Sequence, residues 1–375
     1  MLRPIDAGNA KTRGRGCRIV KVCNYDASKV TLSLIEGYRI AGRTITSTNN
    51  FIVTLESDTG LIGLGCAAPA VEVTGESDDM CFDALQGPLR DRLDGADVAD
   101  DPSHIALDAI RLLPKCPAAC AAIDIALWDL AAQQAQQPLF RYWGGASAPI
   151  ATSVTIGICD VEQTLAEARQ WLARGFSILK VKIGDNIDAD IERLTRLREQ
   201  LGAGCVIRVD ANQGYDLAGA RRLLRETANL GLEMIEQPLQ QHDLDGMAQL
   251  TGKSSVPIIA DESADSIEGC KQVVDRRAAH GINIKLMKCG GPSAARVIHD
   301  YAHAAGLTLM FGCNDETRIS IAAALHLAQT MPGLVYSDLD GHMDLAEDPV
   351  SGGFEIRDGA MHLSERPGLG VTTHA

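Results

Sequence analysis

Eight short apolar runs follow one another after Pro149, at residues 153–158, 178–183, 206–210, 234–236, 257–260, 282–287, 308–311 and 334–336. Stretches of helical periodicity lie between most of them, at 161–174, 187–201, 217–230 and 292–305. Runs this short are strand-length, and strands alternating with helices imply parallel pairing through crossovers. Eight such units over roughly 190 residues predict a (β/α)8 barrel, somewhat below the typical ~250. A doubly wound open sheet is the competing architecture. No Gly-rich dinucleotide fingerprint follows any of the strands, which disfavours it.

The chain before this repeat has a different texture. Residues 18–67 alternate in a β-rich pattern with a turn at Ser57-Asp58-Thr59-Gly60, and residues 77–144 turn helical. The segment from Ala121 to Leu130 carries apolar residues around much of its helix, as expected of a partly buried helix. The tail, 352–371, is hairpin-like around Asp358-Gly359 and is expected to return to the N-terminal domain. The expected division is an N-terminal arm (1–17), a capping domain (18–148, completed by about 343–375) and a barrel (149–342).

With 375 residues, 46% of them hydrophobic, a large core is available. A net charge of -14 argues against a nucleic-acid or anionic-membrane surface. No apolar run is long enough to span a membrane, and residues 1–15 lack the apolar core of a signal peptide. The 11 cysteines show no zinc-ligand spacing; Cys116 and Cys120 read as small core residues. A reduced, cytoplasmic protein is expected, and a homo-oligomer.

The polar anomalies cluster at the carboxyl ends of the barrel strands, the active face of such barrels. In Ile178-Leu179-Lys180-Val181-Lys182-Ile183, period-two alternation puts both lysines on one face. Two same-facing ammonium groups on a core strand require acidic or ligand partners. Asp210, Glu236 and Asp261 close three successive strands, 26 and then 25 residues apart. Three converging carboxylates repel one another and call for a cation. All-oxygen ligands suit Mg²⁺, with Mn²⁺ as a substitute. On the sixth strand, parity sets Asn283, Lys285 and Met287 on the face opposite Ile282, Ile284 and Leu286, so Lys285 looks inward and Lys288 lies beyond the strand. The second and sixth strands stand on opposite sides of an eight-stranded barrel. Lys182 and Lys285 would then flank a substrate, one removing a proton and the other returning it from the opposite face, which inverts a stereocentre. Lys180, beside Lys182, would favour its neutral form by like-charge repulsion. A lysine base with Mg²⁺ is a known arrangement for enolate chemistry.

The residues Lys180-Val181-Lys182, Asp210-Ala211-Asn212-Gln213-Gly214, Glu236-Gln237-Pro238, Asp261-Glu262-Ser263 and Asn283-Ile284-Lys285 resemble the enolase superfamily, specifically its muconate-lactonising-enzyme subgroup. The stretch from Ala122 to Asp129 and the closing Pro367-Gly368-Leu369-Gly370 fit too, so the resemblance covers nearly everything after Cys17. It implies an α+β capping domain, formed by both chain ends, over a modified TIM barrel of (β/α)7β type. Mandelate-racemase-like members carry a histidine on strand seven; this chain has Met310-Phe311-Gly312-Cys313-Asn314 there, which keeps the Lys–Lys arrangement. Asp338-Leu339-Asp340 resembles the Asp-x-Asp of dipeptide epimerases, where it holds the substrate's α-ammonium group. The implied activity is Mg²⁺-dependent epimerisation of the C-terminal residue of a dipeptide through a metal-stabilised enediolate, with L-Ala-D/L-Glu the first candidate. Arg43 matches an arginine that pairs with the glutamate carboxylate in members acting on that substrate. Related epimerases commonly read Gly-Cys-Met-x-Glu-Ser at strand seven; here Asn314 and Asp315 add polarity, and Asp315 would favour a cationic side chain instead. The alternatives are a cycloisomerase or β-elimination lyase of the same subgroup (muconate cycloisomerase, o-succinylbenzoate synthase), an N-acylamino-acid racemase and, more remotely, a non-catalytic ligand-binding descendant.

Overall fold

The computed structural model describes residues 20–93, 95–98 and 101–374, so the expected N-terminal arm lies outside the described residues. Four strands, β1 (Val20–Ile40), β2 (Arg43–Ser57), β3 (Ile62–Ala67) and β4 (Asp97–Val98), form an antiparallel sheet in the order β3-β2-β1-β4. One face of this sheet packs on helix α1 (Pro117–Gln134), which is buried from Pro117 to Ala132. The close approach has a specific cause. A Cβ on Gly65 would sit 1.9 Å from the Ala122 carbonyl oxygen, and one on Gly63 2.3 Å from that of Ala126. Two glycines at i and i+2 thus meet two helix carbonyls at i and i+4, which only residues without side chains permit.

Helix α1 carries two acids in its apolar surface, and both are satisfied. Asp124 accepts hydrogen bonds from Ser293 N (2.6 Å) and Oγ (2.7 Å), at the start of a barrel helix. Asp129 accepts from Leu64 N on β3 and from Leu369 N in the returning tail. A buried carboxylate without such donors would cost several kcal/mol, so these bonds fix where the helix can sit.

The barrel consists of β5 (Val154–Ile156), β6 (Ile178–Lys182), β7 (Val206–Asp210), β8 (Leu232–Glu236), β9 (Ile258–Ala260), β10 (Gly281–Ile284), β11 (Thr308–Gly312) and β12 (Leu334–Asp338). They are ordered as in sequence, and each neighbouring pair is parallel. The crossovers run through α2 (Val161–Ala173), α3 (Ile187–Leu201), α4 (Leu217–Glu226), α5 (Leu244–Thr251), α6 (Ile267–Arg276), α7 (Pro292–Ala304) and α8 (Arg318–Ala328). The seam between the first and last strands is held by Ser153 N donating to Ser337 O at 3.0 Å and Leu339 N to Thr152 Oγ1 at 2.8 Å. Among the described residues no crossover helix follows β12, so the barrel is of the (β/α)7β type. After it the chain forms a hairpin, β13 (Phe354–Arg357) and β14 (Ala360–Leu363), turning at Asp358 (φ 49°) and Gly359 (φ 71°). The tail then meets the end of α1 region, with Leu139 N donating to Gly368 O and Gly368 N to Gln137 O.

Two sequence expectations need correction in detail. The sixth barrel strand, expected over 282–287, ends at Ile284, and Leu286–Cys289 is a helical turn closed by Gly290 (φ 94°). The two glycines before Pro292, both with positive φ, draw the chain into a tight turn that apolar alternation does not reveal. The helix expected over 217–230 stops at Glu226. Helices α5, α6 and α8, which the pattern reading did not single out, complete the alternation.

The tip of the β1–β2 hairpin lies over the barrel mouth. Ile158 N donates to Arg39 O (2.6 Å), Ile35 N to Asp344 O (2.8 Å), and Arg39 pairs with Asp185 at 2.7 Å.

Candidate active site

Register places the site residues at one level. Lys182 on β6 pairs with Asp210 on β7, and Asp210 with Glu236 on β8. Asp261 follows β9 directly, and Lys285, still extended (φ -119°), follows β10. Asp338 ends β12 opposite Gly312. These residues line or border a cavity of about 530 Å³ between the barrel mouth and the cap, walled on the cap side by Tyr38, Arg43 and the loop from Ala68 to Asp79.

Lysines and carboxylates alternate through this cluster. Lys180 Nζ lies 2.6 Å from Asp338, 2.8 Å from Glu236 and 3.1 Å from Asp210. Lys182 Nζ donates to Asp210 Oδ2 (2.7 Å) and Asn212 Oδ1 (3.1 Å). Lys285 Nζ stands 2.9 Å from Asp261 Oδ2, and Lys288 Nζ donates to Asp261 Oδ1 and to its carbonyl oxygen. All of these side chains are buried except that of Asn212, which is partly exposed.

The electrostatic consequences follow from burial and pairing. Burial alone would push Asp210 up, but the Lys182 and Lys180 charges hold it down at about 2. Asp261 is likewise held far below the usual carboxylate range, against burial, by Lys285 and Lys288. Glu236 goes the other way, to about 7, through burial and the nearby Asp210 charge. Burial disfavours a charged Lys180, yet Asp338, Glu236 and Asp210 together keep it firmly ammonium. Lys285 is held charged against burial by Asp261.

Among the described residues no three side chains already converge as a metal cage. The physical reason is the lysine pairing just described: ammonium groups stand between the carboxylates. The donor set nevertheless fits a hard divalent cation. Glu236 Oε2 and Asp261 Oδ2 are buried, lie near lysines, and accept no aligned hydrogen bond. Uncommitted oxygens of Glu236 and Asp261, beside the Asp210 carboxylate on the neighbouring strand, make the all-oxygen donor set that suits Mg²⁺.

The structure brings Lys180, Lys182, Lys285, Asp210, Glu236, Asp261, Asp338 and Asp340 into this one region. Asp338 also accepts from Ser153 Oγ (2.6 Å), and Asp340 from Thr155 N (2.6 Å). Burial and the Asp338 charge raise Asp340 to about 7. Asp315 faces the cap, where Tyr38 Oη donates to its carboxylate at 3.0 Å. Asn314 Nδ2 donates to Ala68 O, tying the strand-seven loop to the cap loop. Arg43 stands apart at the half-exposed rim, its guanidinium paired with Glu72. Residues that the sequence reading passed over include Lys288, set aside as lying beyond the strand, and Glu262 and Asn212, which stand in recognised motifs without a role of their own. Ser153, Thr155 and Asp344 carried no signal, because only barrel closure and the returning chain bring them to the site.

Fold and site together define a two-domain enolase-type barrel protein. Residues 163–375 match the model described as "Enolase C-terminal domain-like", and residues 29–144 match "Mandelate racemase / muconate lactonizing enzyme, N-terminal domain". The chain belongs to this mandelate racemase/muconate lactonizing enzyme family. It is 45% identical over 353 residues to an L-Lys-D/L-Arg epimerase of Methylococcus capsulatus, covering 94% of this chain and 99% of that relative. A crystal structure of a dipeptide epimerase from Methylococcus capsulatus, complexed with Mg and the dipeptide L-Arg-D-Lys, superposes with a TM-score of 0.90 at 44% identity, over 94% of this chain and 99% of that one. The substrate-liganded L-Ala-D/L-Glu epimerase of Bacillus subtilis gives 0.91 at 34% identity, over 95% and 99%.

Proposed function

We propose that this protein is a Mg²⁺-dependent dipeptide epimerase that inverts the α-carbon of the C-terminal residue. The observation that carries the reading is the placement of Lys182 and Lys285 on strands at opposite sides of one barrel, with the Asp338–Asp340 pair on a third side. Asp210, Glu236 and Asp261 would hold Mg²⁺, which when bound offsets the negative charge that develops on the substrate carboxylate as the α-proton leaves. Lys182 and Lys285 exchange that proton from the two faces of the carbon. Lys285, kept charged by Asp261, is the proton donor in one direction, and the roles reverse in the other. Asp338 and Asp340 receive the α-ammonium group; a cycloisomerase, a succinylbenzoate synthase or an N-acylamino-acid racemase handles no such cation.

The pocket's charges favour a cationic dipeptide over L-Ala-D/L-Glu. Arg43, the residue suited to a glutamate side chain, is already matched by Glu72. Asp315, Asp340 and Asp344 line the cavity, and among the described residues none of them forms an ion pair with a lysine or arginine. The similarity to an L-Lys-D/L-Arg epimerase supports the same choice. L-Ala-D/L-Glu is the second reading, carried by Arg43 if the Glu72 pair opens. A cytoplasmic setting suits the described cysteines, all free thiols. Among the described residues no helix is long and apolar enough to cross a membrane.

Incubation in D₂O with Mg²⁺ and a panel containing L-Arg-L-Lys, L-Lys-L-Arg and L-Ala-L-Glu tests the proposal by NMR. Deuterium should enter the C-terminal α-position, fastest in the cationic dipeptides. Absence of exchange across a full dipeptide panel would refute epimerisation.

A further inference from the structure

We propose that Asn212 and Glu262 are positioning residues for Lys182, a relay that fixes its aim at one face of the substrate carbon. The inference rests on the epimerase reading above.

Lys182 reaches the cavity on a flexible four-carbon stem, and a proton-transferring nitrogen must be held to a fraction of an ångström. Two oxygens hold it: Asp210 Oδ2 at 2.7 Å and Asn212 Oδ1 at 3.1 Å. Asp210 belongs to the proposed metal-ligand set. Asn212 lies outside that set.

An asparagine amide has an acceptor end and a donor end, and only the acceptor end suits an ammonium group. Something must keep the amide from turning over. Glu262 supplies it: Asn212 Nδ2 donates to Glu262 Oε1 across a long 3.4 Å. Glu262 is 4% exposed, and among the described residues its other carboxylate oxygen has no hydrogen-bond partner. The backbone reinforces the placement. Asn212 adopts φ 40°, in the left-handed region, and its N donates to Asp210 Oδ1 at 3.0 Å. Asparagine tolerates that conformation better than most residues.

The hydrogen bonds of the relay reach Lys182 and not Lys285, which pairs with Asp261 Oδ2 at 2.9 Å, although the Glu262 charge also acts on Lys285. Since the two lysines serve opposite faces, removing the Asn212 amide should impair exchange at one epimer only.

Single-lysine proteins separate the faces. Lys285→Ala retains α-proton exchange of the epimer served by Lys182, and Lys182→Ala that of the other. Asn212→Gly, which φ 40° tolerates, and Glu262→Gln are then added to each, alone and together, and exchange in D₂O is followed by ¹H NMR with Mg²⁺ present. In the Lys285→Ala protein each substitution is expected to slow exchange about 10-fold or more, and in the Lys182→Ala protein Asn212→Gly should slow it less than about threefold. The pair should be no slower than Asn212→Gly alone, as for two members of one chain. Mn²⁺ affinity, read by EPR without substrate, should fall in the Glu262→Gln protein by less than the ~10-fold or more that loss of a metal ligand's own hydrogen-bond partner costs. Equal losses at both faces, additive losses, or a large fall in Mn²⁺ affinity would overturn the relay. Loss of exchange at both epimers in either single-lysine protein would remove the two-base reading and the relay with it. Retained exchange in the Lys182→Ala background serves as the folding control.

Discussion

Asp340 and Asp315 show how individual side chains divide the work of substrate recognition. Asp340 is buried beside Asp338, accepts the Thr155 amide, and faces the cavity. Replacing it by Asn removes one charge of the ammonium seat while keeping the acceptor. KM for free dipeptides should rise about 30-fold or more, the low end of the ~2–5 kcal/mol for removing one partner of a buried charge pair, with a smaller change in kcat. A fall in kcat with KM unchanged would assign Asp340 to the chemistry instead. Asp315 sits at the cap side under Tyr38. For Asp315→Asn, the kcat/KM preference for L-Arg-L-Lys over L-Ala-L-Glu should drop by about 10-fold, since specificity is a difference of affinities. At this scale the sequence was most legible where a charge broke an apolar pattern: Lys180, Lys182, Asp210, Glu236 and Asp261 stood out because a core strand does not otherwise carry them. Thr155 and Ser153 were illegible. A threonine or serine in a strand is ordinary, and only the closure of the barrel against β12 brings them to Asp338 and Asp340.

Among elements, the loops after β6 and β7 show how the site is braced from outside. Gly184 (φ 108°) and Gly214 pack backbone to backbone: a Cβ on Gly214 would lie 2.2 Å from the Gly184 carbonyl oxygen. Beneath them Asp190 accepts from Gly184 N (3.0 Å), Tyr215 Oη (2.6 Å) and Arg193 Nη2 (2.8 Å). Gly214→Ala must push these loops apart, and overpacking of this kind costs about 1–3 kcal/mol. Because the same loops carry Lys182 and Asp210 at their roots, activity should fall more than stability does. Chemical denaturation and exchange rates on one preparation check this; a change in stability with full activity would contradict it. Asp190→Ala leaves Arg193 buried without its partner and should destabilise by about 3–5 kcal/mol. The alternation of β and α was readable from apolar periodicity. The sixth strand's early end was not, because Leu286 and Met287 are apolar whether they continue a strand or turn into a helix.

The whole molecule keeps three carboxylic acids around α1 in an unusual state. Burial raises Asp124 to about 7, Asp129 to about 6 and Glu76 to about 7, only partly opposed by the hydrogen bonds each accepts. A group whose folded pKa lies above its unfolded value binds more protons when folded. Folding stability therefore falls as pH rises from about 4 to about 7 through these groups. Asp210 and Asp261 act with the opposite sign, their contribution being lost as pH falls below the ordinary carboxylate range. The melting temperature should peak near about pH 5 and decline toward neutrality, and Asp124→Asn should flatten the decline. A Tm that rises from pH 5 to 7 in differential scanning calorimetry would contradict this. The barrel-and-cap architecture was legible at this scale, since motif order and strand count both bear on it. The glycine contacts of β3 with α1 were not, because nothing in Gly63 or Gly65 says which carbonyl they will meet.

Helix α1 is tied to β3, to the start of α7 and to the returning tail by single buried acids, and the two domains share one continuous core. For protein engineering this means that cap and barrel are not interchangeable modules. A recombinant joining this cap to another barrel would have to import α1, residues 292–293 and residues 368–369 together, or leave a carboxylate stranded inside. The rim segments at 38–43 and 69–73 hang outside that lock, whereas Glu76 just beyond them accepts from Ala118 N and Ala119 N of α1. They are the parts of the molecule free to drift toward new dipeptides while the fold stays whole.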